Sequence, residues 1–462
     1  MTDALQTDTI AAVSTAVGNA GISIIRLSGS DAFTVASRIF RGKGEFLKYP
    51  SHTIHYGKIV DPENNETIDE ILISKMDAPK TYTTEDTVEI NCHGGYVTAS
   101  RILDLLYRQG VRPAEAGEFT KRAFVNGRMD LVQAEAIMDL IASRTEKSSK
   151  VAVSQLEGLL SAEVNQIRRS LVDMLAEIEV NLDYPEYDFE EVTLDKCGIV
   201  VGEVIDKLEK LIDSFQYGKI LREGMEVAII GKPNAGKSSL LNRLSRKNRA
   251  IVTDIPGTTR DLLEEYVNIN GLPIKLIDTA GLRETTDQVE KIGVEKAHEA
   301  IRSADLILFV LDGWTGFEKE DEHILENVKD FAHKTLYIVN KTDQTDEEKL
   351  EQIRNIIPEV IEISVLEDSG INVLEQEIQH FVNHNEIDTD NQVLVTNARH
   401  KQLLLSTLVG LKAAGELIKE KMTLDIIAME LKAAAENLGR ITGHAVSEEI
   451  VINIFERFCI GK

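Results

Sequence analysis

With 462 residues, 43% of them apolar and 28% charged, the chain reads as a soluble globular protein of about two to four domains, not a disordered polymer. Seventy-seven acidic residues against 51 basic ones leave a formal net charge of −26. That balance argues against a broad phosphate-binding surface, though a local basic patch or a second protein could still supply contacts to nucleic acid.

Residues 1–118 mix strand-like runs ("GISIIRLSG", "TIHYGKIV", "ILISKM", "TVEINC") with a helical one ("YVTASRILDLLYRQG"), which predicts an α+β domain. From about 120 the texture becomes helical. Val153, Leu156, Leu160, Val164, Ile167, Leu171, Leu175, Ile178 and Leu182 recur at spacings of three and four, which predicts one long helix stopped by Tyr184-Pro185. The acidic connector "DYPEYDFEE" (183–191) reads as a solvated linker in preference to a cation site. A second helix is expected from Cys197 to about Phe215, ending near Tyr217-Gly218.

Between about 222 and 383 the strands "EVAIIG", "KLIDT", "LILFVLD", "TLYIVN" and "VIEISV" alternate with helical or loop segments. This predicts a doubly wound α/β domain with a mostly parallel sheet. Asn270-Gly271 in "INGLPI" marks one antiparallel hairpin within it. After 395 the chain is helical to its end, through "KQLLLSTLVGLKAAGELIKEKM" and "EEIVINIFERF". Helical segments on both sides of an α/β unit imply a helical domain with a nucleotide-binding domain inserted in it.

Cys92, Cys197 and Cys459 are odd in number, far apart and in no metal-ligand spacing, which implies a reducing compartment and no disulfide framework. The chain shows no basic-then-apolar leader, and runs such as "LILFVL" (306–311) are too short to span a bilayer. A cytoplasmic protein without membrane attachment is expected.

The chemistry concentrates in "GKPNAGKSSL" (231–240), which follows an apolar strand and opens a helix. Gly231 and Gly236 let the backbone curl so that its N–H groups face a β-phosphate. Lys237 supplies a cation to the β- and γ-phosphates, and the Ser238 hydroxyl can ligate Mg²⁺. "DTAG" (278–281) ends a later strand, with Asp278 behind the Mg²⁺ ligands and the Gly281 N–H near the γ-phosphate. "NKTD" (340–343) ends another. There the Asp343 carboxylate can accept from guanine N1–H and the 2-amino group, Asn340 meets the opposite edge, and the Lys341 stem covers the base. Adenine lacks that donor pair, so GTP is the expected nucleotide. "TDIPGTTRD" (253–261) lies where a switch segment would complete the Mg²⁺ shell with a threonine.

Two departures stand out. Leu282 follows "DTAG", where Ras-like switches carry a glutamine that orients the attacking water. Arg283, Glu284 and the acids of "TTDQVE" (285–290) are candidates for that role and the residues alone do not choose among them. In the base-closing loop, Ser364-Val365 stands where Ser-Ala is usual.

With "PNAGKSS", "TDIPGTTRD" and "DTAGLRET" in hand, the chain resembles the MnmE (TrmE) family of bacterial tRNA modification GTPases. The likeness continues through "EINCHGGYVTASRIL", "RPAEAGEFTKRAFVNGRMDLVQAEAIMDLI" and the closing "FCIGK", and so covers nearly the whole chain. It implies a folate-binding-like, dimer-forming N-terminal domain (1–118), a discontinuous helical domain (119–220 and 384–462) and an inserted Ras-like P-loop GTPase domain (221–383). The implied GTP contacts are Asn234, Ala235, Gly236, Lys237, Ser238 and Ser239; Thr253, Asp254, Ile255, Pro256, Gly257, Thr258 and Thr259; Asp278, Thr279, Ala280 and Gly281; and Asn340, Lys341, Asp343, Ser364 and Val365. Mg²⁺ would be held by Ser238 and Thr259, and an activating K⁺ by Asn234, Thr253, Ile255 and Thr258 as two GTPase domains meet. The water-orienting glutamate falls on Glu290.

The same resemblance implies work with the FAD-dependent partner MnmG, as a heterotetramer, on C5 of the wobble uridine of certain tRNAs, with a tetrahydrofolate one-carbon unit. The folate contacts would be Arg26, Glu89, Arg128 and Lys462. Each has a plainer reading: Arg26 as a surface cation, Glu89 as a strand carboxylate, Arg128 as a helix-start partner of Asp130. His93 reads as structural. Cys459, the fourth residue from the end, becomes a candidate nucleophile or thiolate in a tail folded toward the folate pocket, against the plainer reading of a buried thiol. A GTP-dependent RNA-binding or ribosome-assembly factor without modification chemistry fits the GTPase motifs equally well. It leaves the N-terminal domain and the Cys-Ile-Gly-Lys end unexplained.

Overall fold

The computed structural model describes residues 8–16, 18–184, 190–247, 265–278, 301–382, 393–444 and 446–462. The N-terminal strands among them form a seven-stranded sheet ordered β3-β4-β5-β6-β2-β1-β7. These strands are β1 (Ile10–Val13), β2 (Ile22–Ser28), β3 (Phe40–Gly42), β4 (Thr53–Val60), β5 (Thr67–Met76), β6 (Thr87–His93) and β7 (Arg112–Pro113). Alternation along β2 sends Ser23, Ile25 and Leu27 into the core and leaves Arg26 on the other face. Helix Tyr96–Arg108 covers the inner face with Ala99, Ile102, Leu105 and Leu106.

The apolar repeat predicted to make one long helix makes two. Gly158 takes φ +89° and ends the first, Glu146–Leu156, before Leu159–Asp183 begins. A left-handed residue resets the helix axis even though the spacing of three and four continues past it. Helix Leu159–Asp183 then packs with Glu190–Asp213, Ala398–Lys419 and Leu424–Thr442 around Val164, Leu171, Leu208, Leu404, Leu411 and Leu431. The expected stop at Tyr217-Gly218 is also corrected. The second helix ends at Asp213, and Gly218 lies inside a further helix, Phe215–Glu223, that ends at Gly224 with φ +91°. A Cβ on Gly218 would fall 2.3 Å from the Val395 carbonyl oxygen, so this glycine permits close packing of the chain entering the α/β unit against the chain leaving it.

The α/β unit holds a six-stranded sheet among the described residues, ordered β13-β12-β11-β8-β10-β9. Its strands are β8 (Met225–Ile230), β9 (Glu265–Ile269), β10 (Leu272–Asp278), β11 (Leu306–Asp312), β12 (Thr335–Asn340) and β13 (Val360–Glu362). Every pairing is parallel except β9 with β10, joined through Asn270 at φ +51° and Gly271 at φ +88° as the Asn-Gly turn predicted. The strand order and single antiparallel edge strand make this a Ras-like α/β domain with β8 at its centre. The loops after β8, β11 and β12 emerge at one end of the sheet, where doubly wound folds bind ligands.

Candidate functional site

Between β8 and helix Lys237–Lys247 the chain turns through Gly231 (φ +146°), Asn234 (φ +63°) and Gly236 (φ +96°). A Cβ on Gly231 would sit 2.2 Å from the Val310 carbonyl oxygen, and one on Gly236 would sit 2.1 Å from Asn340 Nδ2. Both glycines are therefore demanded by position and by conformation. Lys237 Nζ donates to the carbonyls of Gly231 (2.8 Å) and Lys232 (2.7 Å), which folds the cation over the loop mouth. Asn234, Ser238 and Ser239 face solvent, and Ala235 is buried beneath them.

On the base side, Asn340 is 3% exposed. Its Nδ2 donates to the Ala235 carbonyl at 2.9 Å, and its Oδ1 accepts from the Val365 N–H at 3.2 Å. These two bonds tie the phosphate loop to the base-closing loop and leave the amide's second N–H for a base edge. Lys341 takes φ +66° and its Nζ meets Asp312 Oδ2 at 2.7 Å, which holds the stem in place. Ser364 Oγ donates to Asp343 Oδ1 at 2.6 Å, and that bond holds the exposed carboxyl below its usual range. Asp343 thus stays an acceptor, as guanine requires. Asp278 ends β10 beside β8. Thr253, Asp254, Ile255, Pro256, Gly257, Thr258, Thr259, Thr279, Ala280, Gly281 and Glu290 lie outside the described residues.

A second site forms where the chain's end meets the N-terminal sheet. Arg26 and Glu89 are register partners on β2 and β6 and share an ion pair of 2.8 Å. Arg26 also lies over the Tyr82 and Phe119 rings, at 5.1 and 5.7 Å from their centroids. Arg128 does not pair with Asp130, which caps helix Leu131–Ala142. It donates instead to the Tyr82 carbonyl at 2.8 Å and lies over that ring at 4.8 Å from its centroid. The tail is held in place residue by residue. Ile460 bridges to Ala116, the Gly461 carbonyl accepts from Ser14 Oγ at 2.9 Å, and the Cys459 carbonyl accepts from the Gly117 N–H at 3.4 Å. Lys462 is half-buried, and burial followed by the Arg26 charge lowers its pKa against the opposing pull of Cys459 and Glu89. Gly461 packs on Val13, the register partner of Ile25, so the tail lies beside the strand that carries Arg26. The Cys459 thiol itself is exposed, against the plainer expectation of a buried one.

A family model described as the MnmE helical domain matches residues 131–459, and one described as the GTP-binding protein TrmE N-terminus matches residues 9–128. A relative from Acetivibrio thermocellus named tRNA modification GTPase MnmE is 51% identical over 457 residues, covering 98% of this chain and 99% of its own. The chain belongs to the MnmE family. A relative of the same name from Oceanobacillus iheyensis is 47% identical over 461 residues, covering 99% of this chain and 100% of its own. Among solved structures, a single-substitution variant of Aquifex aeolicus Era bound to GDP·AlF4⁻ is 28% identical, covers 40% of this chain and 66% of its own, and gives a TM-score of 0.29.

The residues of this MnmE chain suit the groups its sequence implies. Among the described residues no three His, Cys, Asp or Glu side chains are grouped to hold a metal. A Mg²⁺ held by a hydroxyl and by phosphate oxygens needs no such group, and Ser238 is exposed at the helix start where it would serve. Asn234, exposed on the rim in the left-handed conformation, is the described member of the implied K⁺ set. In the second site Arg26 Nη1 is buried without a partner among the described residues, which suits an anionic or acceptor-rich ligand. No helix of the described residues is long and apolar enough to cross a membrane.

Sequence reasoning missed the supports of both sites. The Tyr82 and Phe119 rings lie against the Arg26 guanidinium, but an aromatic in a loop and one in a helix carry no local signal. Helix Glu118–Val125 is braced by a network in which Arg122 meets Asp8 Oδ1 at 2.8 Å and Glu118 Oε1 at 2.9 Å, while Arg112 Nε meets Asp8 Oδ2 at 2.6 Å. Burial would raise the Glu118 pKa, yet its bonds to Arg112 and Arg122 hold it below the usual value.

Proposed function

We propose that this protein is a K⁺-activated GTPase whose nucleotide cycle drives installation of an aminomethyl or carboxymethylaminomethyl group at C5 of the wobble uridine of certain tRNAs. The observation that carries the reading is the joining of two sites in one chain. A P-loop followed by Asp343, held as an acceptor, accompanies the Arg26–Glu89 pair of the N-terminal sheet, beside which residues 459–461 are bonded through Gly117, Ala116 and Ser14. An assembly GTPase leaves the second unexplained.

In the GTPase site, Lys237 neutralises β- and γ-phosphate charge, Asp343 selects guanine, and Ser238 with Thr259 would hold Mg²⁺. K⁺, held by Asn234, Thr253, Ile255 and Thr258, would supply the positive charge that an arginine finger supplies elsewhere. Glu290 would orient the attacking water in place of the glutamine that Leu282 replaces. In the N-terminal site, Glu89 suits the donor–acceptor edge of a pterin, and Arg26, Arg128 and Lys462 suit an anionic folate tail. A tetrahydrofolate derivative bound there would supply the one-carbon unit.

Domain limits at 1–118, 119–220, 221–383 and 384–462 go with this reading. So do homodimerisation through the first domain, transient contact between GTPase domains, a complex with FAD-bearing MnmG, and a cytoplasmic location. The test is the wobble-uridine content of tRNA from cells lacking the protein, complemented with wild type or Cys459→Ser and read by nucleoside mass spectrometry. Restoration by wild type supports the pathway, and its loss in an expressed, folded Cys459→Ser places the thiol in the chemistry. Failure of wild type to restore the nucleoside overturns the reading.

A further inference from the structure

Lys232 is the second residue of the phosphate loop, a position where a lysine would ordinarily reach into solvent. Here it is 5% exposed and turns under the loop. Its Nζ donates to Thr315 Oγ1 (2.6 Å), Glu318 Oε2 (2.7 Å), Asp321 Oδ2 (3.0 Å) and the Gly316 carbonyl (3.2 Å). Asp321 is 0% exposed, and its Oδ1 has no partner among the described residues, so the Lys232 ammonium is the charge that compensates it. Burial lowers the lysine pKa, and the bonds to Glu318 and Asp321 more than restore it.

The segment that Lys232 grips leads back to the base side. It begins at Asp312, whose Oδ2 holds Lys341 at 2.7 Å and whose Oδ1 accepts from the Trp314 N–H at 3.0 Å. At the other end, the Lys232 carbonyl accepts from Lys237 Nζ at 2.7 Å. One continuous set of bonds therefore runs from the phosphate-binding lysine, through Lys232 and the 312–321 loop, to the lysine that covers the base. The loop also holds the chain's single tryptophan, 55% exposed.

We infer that Lys232 is a positioning residue for nucleotide binding, a buried strut that sets the phosphate loop against the 312–321 loop so that Lys237 and Lys341 are placed together. The inference rests on the GTPase reading of the pocket. A strut of this kind acts equally on bound substrate and on the transition state, so its loss raises KM and leaves kcat nearly intact.

The experiment uses the full-length protein. GTP turnover gives KM and kcat, and Trp314 emission is followed during titration with GDP, for wild type, Lys232→Met and Lys232→Arg. Wild type that neither hydrolyses GTP nor binds GDP would overturn the GTPase reading itself. With wild type active, the expected result is a KM raised about tenfold in Lys232→Met with kcat within about threefold, and a GDP titration curve shifted to match. Lys232→Arg should recover most of the loss, because a guanidinium can reach the same carboxylates. Folded Lys232→Met with KM within about twofold of wild type overturns the inference, as does a fall confined to kcat. Should Lys232→Met fail to fold, Glu318→Gln decides, since the Glu318 side chain is 55% exposed and its removal leaves Asp321 paired. A KM raised about threefold or more supports the strut, and a smaller change overturns it.

Discussion

Gly461 is pressed against Val13 so closely that a Cβ on the glycine would fall 2.2 Å from the Val13 carbonyl oxygen. The residue also holds φ +94°, a conformation that favours glycine. The penultimate residue is thus the point at which the chain's end is fitted to the first sheet, and Lys462 and Cys459 are placed by it. Gly461→Ala is expected to release the tail while leaving the GTPase pocket intact. Binding of 5-formyltetrahydrofolate, followed by calorimetry, should weaken about tenfold or more, with GTP turnover within about twofold of wild type. Unchanged folate binding would separate the tail from the N-terminal site.

How far the molecule is legible in its sequence follows from which signals are local. Alternation and turn residues are local, so "TVEINC" and the Asn270-Gly271 hairpin read correctly. Gly158 did not, because the apolar spacing of the two helices it separates runs on across it. The Gly218 error has a related cause: a glycine needed for contact with Val395, far along the chain, has the same appearance as one needed to end a helix. The phosphate loop is contiguous, so its turn glycines Gly231 and Gly236 are legible as a local pattern. Arg26 and Glu89 are 63 positions apart, and only strand register brings them face to face. Lys232 escaped notice for a different reason. Whether a lysine points out or in depends on Asp321 and Glu318, which a motif does not contain.

Asp343→Asn tests the guanine reading. The carboxylate is kept as an acceptor by the Ser364 hydroxyl, and an amide presents a donor where the guanine 2-amino group also donates. Affinity for GTP should fall about 100-fold or more, since buried donors of the base would be left unpaired. Xanthosine triphosphate, with an oxygen in place of that amino group, should regain binding. Equal loss for both nucleotides would mean that the substitution damages the pocket and that Asp343 does not read the base.

The catalytic reading predicts a dependence on the monovalent cation. Turnover in KCl is expected to exceed that in NaCl by about tenfold or more, because a cation of the right size takes the place of a side-chain charge at the transition state. Glu290→Ala should keep GTP affinity near wild type and lose about 99% of turnover, as a water-positioning residue does. Equal rates in the two salts would count against the K⁺ assignment, and surviving turnover in Glu290→Ala would move the water-positioning role to another group.

The core beneath the chain's exit from the α/β unit carries its own pH dependence. Glu135, on helix Leu131–Ala142, meets His400 Nε2 at 2.8 Å and Arg399 Nη2 at 2.7 Å, and Asn397 donates to it at 3.0 Å. Burial would raise its pKa, but His400 and Arg399 outweigh that and bring it from 4.5 to about 2. A carboxyl whose folded pKa is depressed stabilises the fold fully above its unfolded value. That contribution is lost as pH falls from 4.5 through about 2. Urea unfolding of wild type and Glu135→Gln across pH 7 to 3 should show wild type losing its advantage below pH 4.5, where the glutamine variant falls less steeply. Parallel slopes over that range would mean that Glu135 does not hold the depressed value. The same segment, 393–400, connects the nucleotide-binding unit to the helical core through Gln155, whose Nε2 donates to the Leu394 carbonyl at 3.0 Å. A protein weakened at Glu135 should therefore lose helical-core stability before it loses GDP affinity, and GDP titration at pH 4 would separate the two.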